Sequence, residues 1–304
     1  MEIMRQGLRS LSRNSAANPP ADIVVLSPHL DDAVLALGGM IGREAAKGRT
    51  VEVWTCYTAG PPLDQIPERL RPLGDYAARR DEDGRALDVL AARSRWLDFP
   101  ERIWREPALR HEHHIFHTPQ SPAEFQYLPA LRAIARELLV GGVGLYAPLA
   151  VGHHHDHVEV TLAVLLEMLE QRAFDRVRFY EDPYALGGAC RRAHFVTRRH
   201  GWRLIDSPAW ASPRMAALVW AAAMASKGPK LEEYLPEAER LEWVCTALPV
   251  HPDDERRKLA ASAEYASQVQ AFGGLDVLSK FTKAGHAALG GELVWQAGLA
   301  PVGA

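Results

Sequence analysis

From Ala21 to Tyr180 the apolar positions change rhythm repeatedly, and each change predicts an element. Ala21–Ser27 (ADIVVLS) is a short, near-continuous apolar run with β-branched residues, the pattern of a strand buried on both faces. Asp32–Ala46 follows with Val34, Leu37 and Ile41 at helical spacing. The alternation repeats: strand over Thr50–Tyr57, helix over Asp75–Ala92, strand over Arg95–Phe99, helix over Pro122–Val140, strand over Val143–Pro148, helix over Asp156–Gln171, strand over Arg176–Tyr180. Pro100–Ser121 has no period and reads as a long connection. Strand–helix alternation of this kind predicts an α/β fold: a Rossmann-like, doubly wound, mostly parallel sheet with helices on both faces. Beyond Tyr180 the pattern is less regular, with Trp- and Arg-rich strands over Ala193–Trp210, a buried apolar helix at Met215–Ala225 and a helix over Glu255–Phe272. This region is expected to elaborate a single domain spanning 21–304, with a core of about 21–185 behind a polar leader at 1–20.

Composition changes this picture little. A chain of 304 residues that is 47% hydrophobic and 24% charged buries a full core. A formal charge of −3 gives no electrostatic footprint for nucleic acid or an anionic membrane, so neither is an expected partner. The eleven apolar residues at Met215–Ala225 fall short of the roughly 20 that a membrane span needs. Cys56, Cys190 and Cys245 are odd in number and lack CxxC spacing; they read as reduced thiols of a cytoplasmic protein.

The polar clusters carry more. Pro28-His29-Leu30-Asp31-Asp32 and His153-His154-His155-Asp156-His157 each follow a predicted strand. In an open α/β sheet, ligands sit beyond the carboxyl ends of strands, so the two segments can meet at one edge. A catalytic divalent metal takes three protein ligands and keeps a position open. His29 and Asp32 span a strand-to-helix turn and His157 opens a later helix, which together form a two-histidine, one-carboxylate set suited to zinc or ferrous iron. Asp31 is then left uncoordinated beside the ion, placed to take a proton from water as a general base. Taken singly, each string has a plain reading, since an Asp-Asp pair also suits a helix start. It is their conjunction at two strand ends that points to a metal.

Ser27-Pro28-His29-Leu30-Asp31-Asp32-Ala33-Val34 together with His154-His155-Asp156-His157 resembles the PIG-L/LmbE-like deacetylases, through their (P/A)HxDD and HxDH motifs. The resemblance covers roughly Ala21–Ala185. It implies a Rossmann-like fold and a hydrolase that removes an N-acetyl or other N-acyl group from an amino sugar or glycoconjugate, with Zn2+ (or Fe2+ or another divalent ion) as cofactor. It also implies that His29, Asp32 and His157 are the ligands, that Asp31 is the base, and that His154 stabilises the oxyanion or protonates the leaving amine. Arg79 and Glu82 match the family's RxxE, with Arg79 lining the substrate pocket. Glu181-Asp182-Pro183-Tyr184 resembles an ED-x-PYA segment of the sugar-deacetylase branch, lacking one residue, and so suggests Asp182 and Tyr184 as pocket residues. Mycothiol-pathway members carry a Tyr two residues before HxDH, where this chain has Gly152, so another donor must serve the oxyanion or the metal and His154 do more.

Other segments imitate this chemistry. His251-Pro252-Asp253-Asp254 spells the first motif again, but no buried strand precedes it, and Pro at the first helical position with Asp in the first turn is a helix start. Tyr265-Ala266-Ser267-Gln268 resembles a YxSQ segment near the family's C-terminus. His111, His113, His114 and His117 lie in the aperiodic connection, where a loop can cover a site. Two rival functions fit less well. One is an amidase of thiol-cofactor conjugates, which keeps the site and changes the substrate. The other is a Rossmann cofactor-binding module, which lacks GxGxxG after its first strand. Homo-oligomerisation is compatible with the sequence.

Overall fold

The computed structural model describes residues 20–182, 188–199, 225, 227–270 and 272–299. Seven strands form one sheet in the order β3-β2-β1-β4-β5-β7-β6: β1 Ile23–Ser27, β2 Val51–Ala59, β3 Arg93–Pro100, β4 Gly144–Pro148, β5 Val177–Tyr180, β6 Glu242–Leu248 and β7 Glu292–Gly298. β1 to β5 are parallel, and β7 pairs antiparallel with both β5 and β6. This is the expected α/β fold with a mostly parallel sheet.

The burial of β1 on both faces follows from its sequence. Val24 and Leu26 pack with the helices Leu128–Val140 and His155–Gln171, whereas Ile23 and Val25 pack with Asp32–Ala46 and Tyr76–Val89. The chain winds outward from β1 to β3, then returns to the opposite side of β1 to lay down β4 and β5. The order therefore reverses between β1 and β4, and the crevice outside their carboxyl ends is where such a sheet binds ligands. Both polar clusters emerge there.

The helix Asp32–Ala46 is not continuous: Leu37 has φ −125° and ψ 17°. Glu292 of β7 accepts the freed amides of Gly39 and Met40, both at 2.8 Å. Lys258 pairs with Glu292 at 2.8 Å and donates to the Ala36 carbonyl at 3.2 Å. Inserted side chains explain the kink, and the C-terminal elements thereby clamp the helix that starts at the site.

Several sequence expectations are corrected. The helix foreseen over Pro122–Val140 begins at Leu128, because Pro129 has no N–H and fits only a first turn; Pro122–Glu124 is a separate 3-10 turn. The helix over Glu255–Phe272 is two segments, Pro252–Ala263 and Ala266–Val269, broken at Tyr265. Ala193–Arg199 holds the end of a helix and a 3-10 turn in place of a strand; the rest of Ala193–Trp210 lies outside the described residues, as do the leader up to 19 and the apolar stretch at Met215 up to 224. β6, β7 and the helix Leu275–Leu289 were not anticipated. Among the described residues, no helix is long and apolar enough to cross a membrane.

Candidate metal centre

Two strained turns present the site. After β1, Ser27 Oγ donates to the His29 carbonyl at 2.6 Å and accepts from Ala33 N at 3.0 Å, drawing the PHLDD segment into a tight corner. Asp31 there has φ 135°, a conformation that L-residues adopt only when the surroundings impose it. After β4, Ala150, Gly152 and His153 also have positive φ, and His154 caps the next helix by accepting Asp156 N on Nδ1 at 3.2 Å. Gly152, with φ 94°, occupies a position where a Tyr side chain would be strained.

These turns bring together His29 Nδ1, Asp32 Oδ2 and His157 Nε2, each 3.2 Å from the other two. Donors about 2.0–2.1 Å from a tetrahedral ion stand about 3.3 Å apart, so this triangle matches one face of such a site. Each imidazole is braced from behind. Asp156 Oδ2 is 3.1 Å from His29 Nε2, and Asp182 Oδ1 takes a short hydrogen bond from His157 Nδ1. A carboxylate on the far nitrogen holds a proton there, so the near nitrogen is the one that would give its lone pair to a metal, the arrangement of metal-binding histidines. Asp32 is itself fixed by the His29 amide at 3.0 Å. The donor set thus fits a divalent ion. His154 also brings a ring nitrogen within 4.8 Å of His29 and His157, but the Asp32 triangle is tighter and His154 Nδ1 is engaged as a helix cap.

Burial and mutual charge polarise the cluster. Burial works against protonating His157, but Asp32 and Asp182 outweigh it and raise its pKa to about 9. Burial would also raise Asp32, yet His157 and His29 hold it well below the carboxylate range. Asp31 is pushed well up by burial and by Asp32. His154 is pushed well down, by burial and by the positive charge of His29. The corner therefore presents a proton-hungry carboxylate and a neutral imidazole beside the triangle.

A cavity of about 230 Å³ opens over these groups, with His29, Asp31, Asp32, His154 and His157 lining it. Arg79 and Glu101 form one wall, with Arg79 only 4% exposed and Nη1 2.8 Å from Glu101 Oε1. Trp104, Ile115, Gln268 and Phe272 form others. Arg79 therefore lines the cavity. Glu82 does not: it accepts Ser267 N at 2.9 Å and Ser267 Oγ at 2.6 Å, tying the YASQ segment to the helix Tyr76–Val89 and so bringing Gln268 to the cavity.

Asp182 is a correction. It was expected in the pocket, but it is wholly buried, does not line the cavity, and binds His157 and the Val151 amide. Tyr184 lies outside the described residues. His251 starts a helix through a capping box, with Asp254 Oδ2 receiving its amide at 3.4 Å. Of the loop histidines none lines this cavity; His111 and His113 border a neighbouring cleft, while their neighbour Phe116 packs edge-on to His154 at 5.6 Å. Sequence reasoning missed Asp156 as a brace, and Glu101, Trp104 and Gln268 as walls. Of these only Asp156 had a signal, its place inside HHHDH.

The family model for GlcNAc-PI de-N-acetylases, PIG-L, matches residues 24–167. Over that stretch the chain is PIG-L-like. The matched segment runs from β1 through most of the helix His155–Gln171, and so contains both PIG-L motifs and Arg79. Among solved structures, a deacetylase–bog complex from teicoplanin biosynthesis is similar at 21% identity, covering 92% of this chain and 99% of that one, with a TM-score of 0.63. The zinc-inhibited form of teicoplanin deacetylase aligns at 22% identity over the same shares, with a TM-score of 0.62. A conserved protein of Thermus thermophilus aligns at 15% identity over 94% of this chain and 96% of that one, with a TM-score of 0.50. Likeness at these identities establishes a common fold. No curated protein matches the sequence.

Proposed function

We propose that this chain is a metal-dependent hydrolase that removes an N-acetyl or related N-acyl group from an amino sugar or glycoconjugate. The observation that carries the reading is the 3.2 Å triangle of His29, Asp32 and His157 with the uncoordinated Asp31 beside it, all facing one cavity. The PIG-L match over 24–167 supports it.

A divalent ion, zinc or ferrous iron, held by His29, Asp32 and His157 supplies Lewis acidity that polarises an amide carbonyl and acidifies water. Asp31 takes the proton of the attacking water, a task for which a carboxylate of raised proton affinity is suited. His154 is neutral, and with Nδ1 accepting the Asp156 amide its proton resides on Nε2. That N–H donates to the oxyanion that develops on the amide oxygen and replaces the Tyr missing at Gly152. The amide C–N bond breaks as the proton held by Asp31 passes to the leaving nitrogen, giving free amine and carboxylic acid. Asp156 and Asp182 hold the two imidazoles in register. Arg79, fixed by Glu101, supplies a cation to the substrate side of the cavity, and the Trp104 face suits a sugar ring. The free thiols Cys56, Cys190 and Cys245 support a cytoplasmic setting.

The test is acetate release from a panel of N-acetylated sugars and glycoconjugates by zinc- and iron-loaded protein. Release that is abolished in Asp31→Asn supports the reading, and the absence of release with every metal and substrate contradicts it.

A further inference from the structure

Arg105 sits in the connection whose sequence has no period, yet it is buried, 5% exposed. Its guanidinium packs against the rings of Tyr57 and Tyr127, 4.5 Å and 4.9 Å from their centroids. Nε donates to the Pro100 carbonyl at 2.8 Å and Nη1 to Glu159 Oε2 at 3.0 Å, while Nη2 makes a short bond to Asp156 Oδ1. The other oxygen of Asp156 receives the Arg102 amide at 3.0 Å and faces His29 Nε2 at 3.1 Å. A single turn, Glu101 to Arg105, therefore grips the carboxylate that braces His29 and, from the same few residues, sends Glu101, Ile103 and Trp104 to the cavity wall.

Charge neutralisation alone does not require this geometry. Asp156 has two oxygens, and a carboxylate held on one side only can rotate about its last torsion. The planar fork of arginine takes one oxygen in a fixed direction, while its bonds to the Pro100 carbonyl and to Glu159 fix the plane of the fork. The second oxygen is thereby aimed at His29. We propose that Arg105 is a positioning residue that sets the His29 imidazole through Asp156 and makes the metal ligand depend on the turn that builds the substrate wall. This rests on the reading of His29 as a ligand; its effect on His29 itself does not.

The test compares Arg105→Gln, Arg105→Lys, Asp156→Asn and the double variant Arg105→Gln/Asp156→Asn with the parent chain. Zinc affinity is measured by chelator competition, and the side-chain 15N signals of His29 are recorded in metal-free protein. Removing the support of a liganding histidine costs about 10- to 100-fold in metal affinity. The expected result is a loss of that size in Arg105→Gln, a smaller one in Arg105→Lys, which keeps the charge and loses the fork, and no further loss in the double variant beyond Asp156→Asn. The His29 signals shift in both single Arg105 variants. Arg105→Lys keeps the test open if Arg105→Gln does not fold. Zinc affinity within twofold of the parent and unmoved His29 signals, with only a lower melting temperature, would overturn the proposal. Should the parent itself bind no zinc, the hydrolase reading falls, while the His29 signals still decide whether Arg105 positions that ring.

Discussion

Asp31→Asn should destroy turnover and stabilise the metal-free fold at the same time. Asp31 is 8% exposed, beside Asp32, in a turn with a φ of 135°. Its proton affinity in the folded chain is raised well above the ordinary 3.8, first by burial and then by the Asp32 charge. For a carboxylate with a raised folded pKa, the unfolded chain ionises first as pH rises. The group then costs stability that accumulates from the ordinary carboxylate range up to the folded pKa and stays constant above it. Asparagine removes that cost. A higher melting temperature than the parent's is therefore expected for the variant at pH 7 in chelator-treated protein. The same exchange removes the proposed general base, for which about 10²- to 10⁴-fold in kcat is typical, or about 3–5 kcal/mol of barrier. The assays are thermal denaturation with excess chelator and acetate release with saturating metal. A variant that loses turnover and also melts lower than the parent would refute this account of Asp31 as a strained, charge-crowded base.

Other outcomes follow from the same structure. Asp182→Asn should weaken zinc binding by about 10- to 100-fold, because His157 loses the carboxylate that orients it; an unchanged affinity in chelator competition would refute that bracing role. Arg79→Gln should raise KM more than it lowers kcat, since the side chain lines the cavity wall and not the metal corner; the reverse split in steady-state kinetics would place it in the chemistry. His194 is kept neutral, with burial and then the His153 charge lowering its pKa to about 3. The unfolded chain therefore gains a proton that the folded chain refuses as pH falls from about 6.5, and stability is lost towards about 3. His194→Gln should flatten the acid side of the melting-temperature profile, and an unaltered slope would contradict this.

The parts of the molecule legible in the sequence are those set by local pattern. β1 reads from five consecutive buried residues, and the helix after it from apolar spacing that survives even the kink at Leu37. Both halves of the triangle of His29, Asp32 and His157 were visible because each lies in a short string after a strand, and the switch-point rule says where such strings meet. Contacts between distant segments were not legible. β6 and β7 are short antiparallel strands whose weak alternation gains meaning only when Phe179 and Trp295 pair across the sheet. Asp156 and Asp182 were adjacent to the right motifs, yet their roles depend on which imidazole nitrogen they meet. Arg105 carried no signal at all, because an isolated arginine in an aperiodic loop reads as solvated until Tyr57 and Tyr127 are seen to enclose it. Pro129 is a local signal: a proline inside an apparent helix marks its first turn.

Crystals grown with zinc and measured across its absorption edge would locate the ion directly. A single strong anomalous peak per chain, about 2.0–2.1 Å from His29 Nδ1, Asp32 Oδ2 and His157 Nε2, is the predicted result. A peak held by His29, His154 and His157 with Asp32 turned away, or none in protein that still releases acetate, would contradict it.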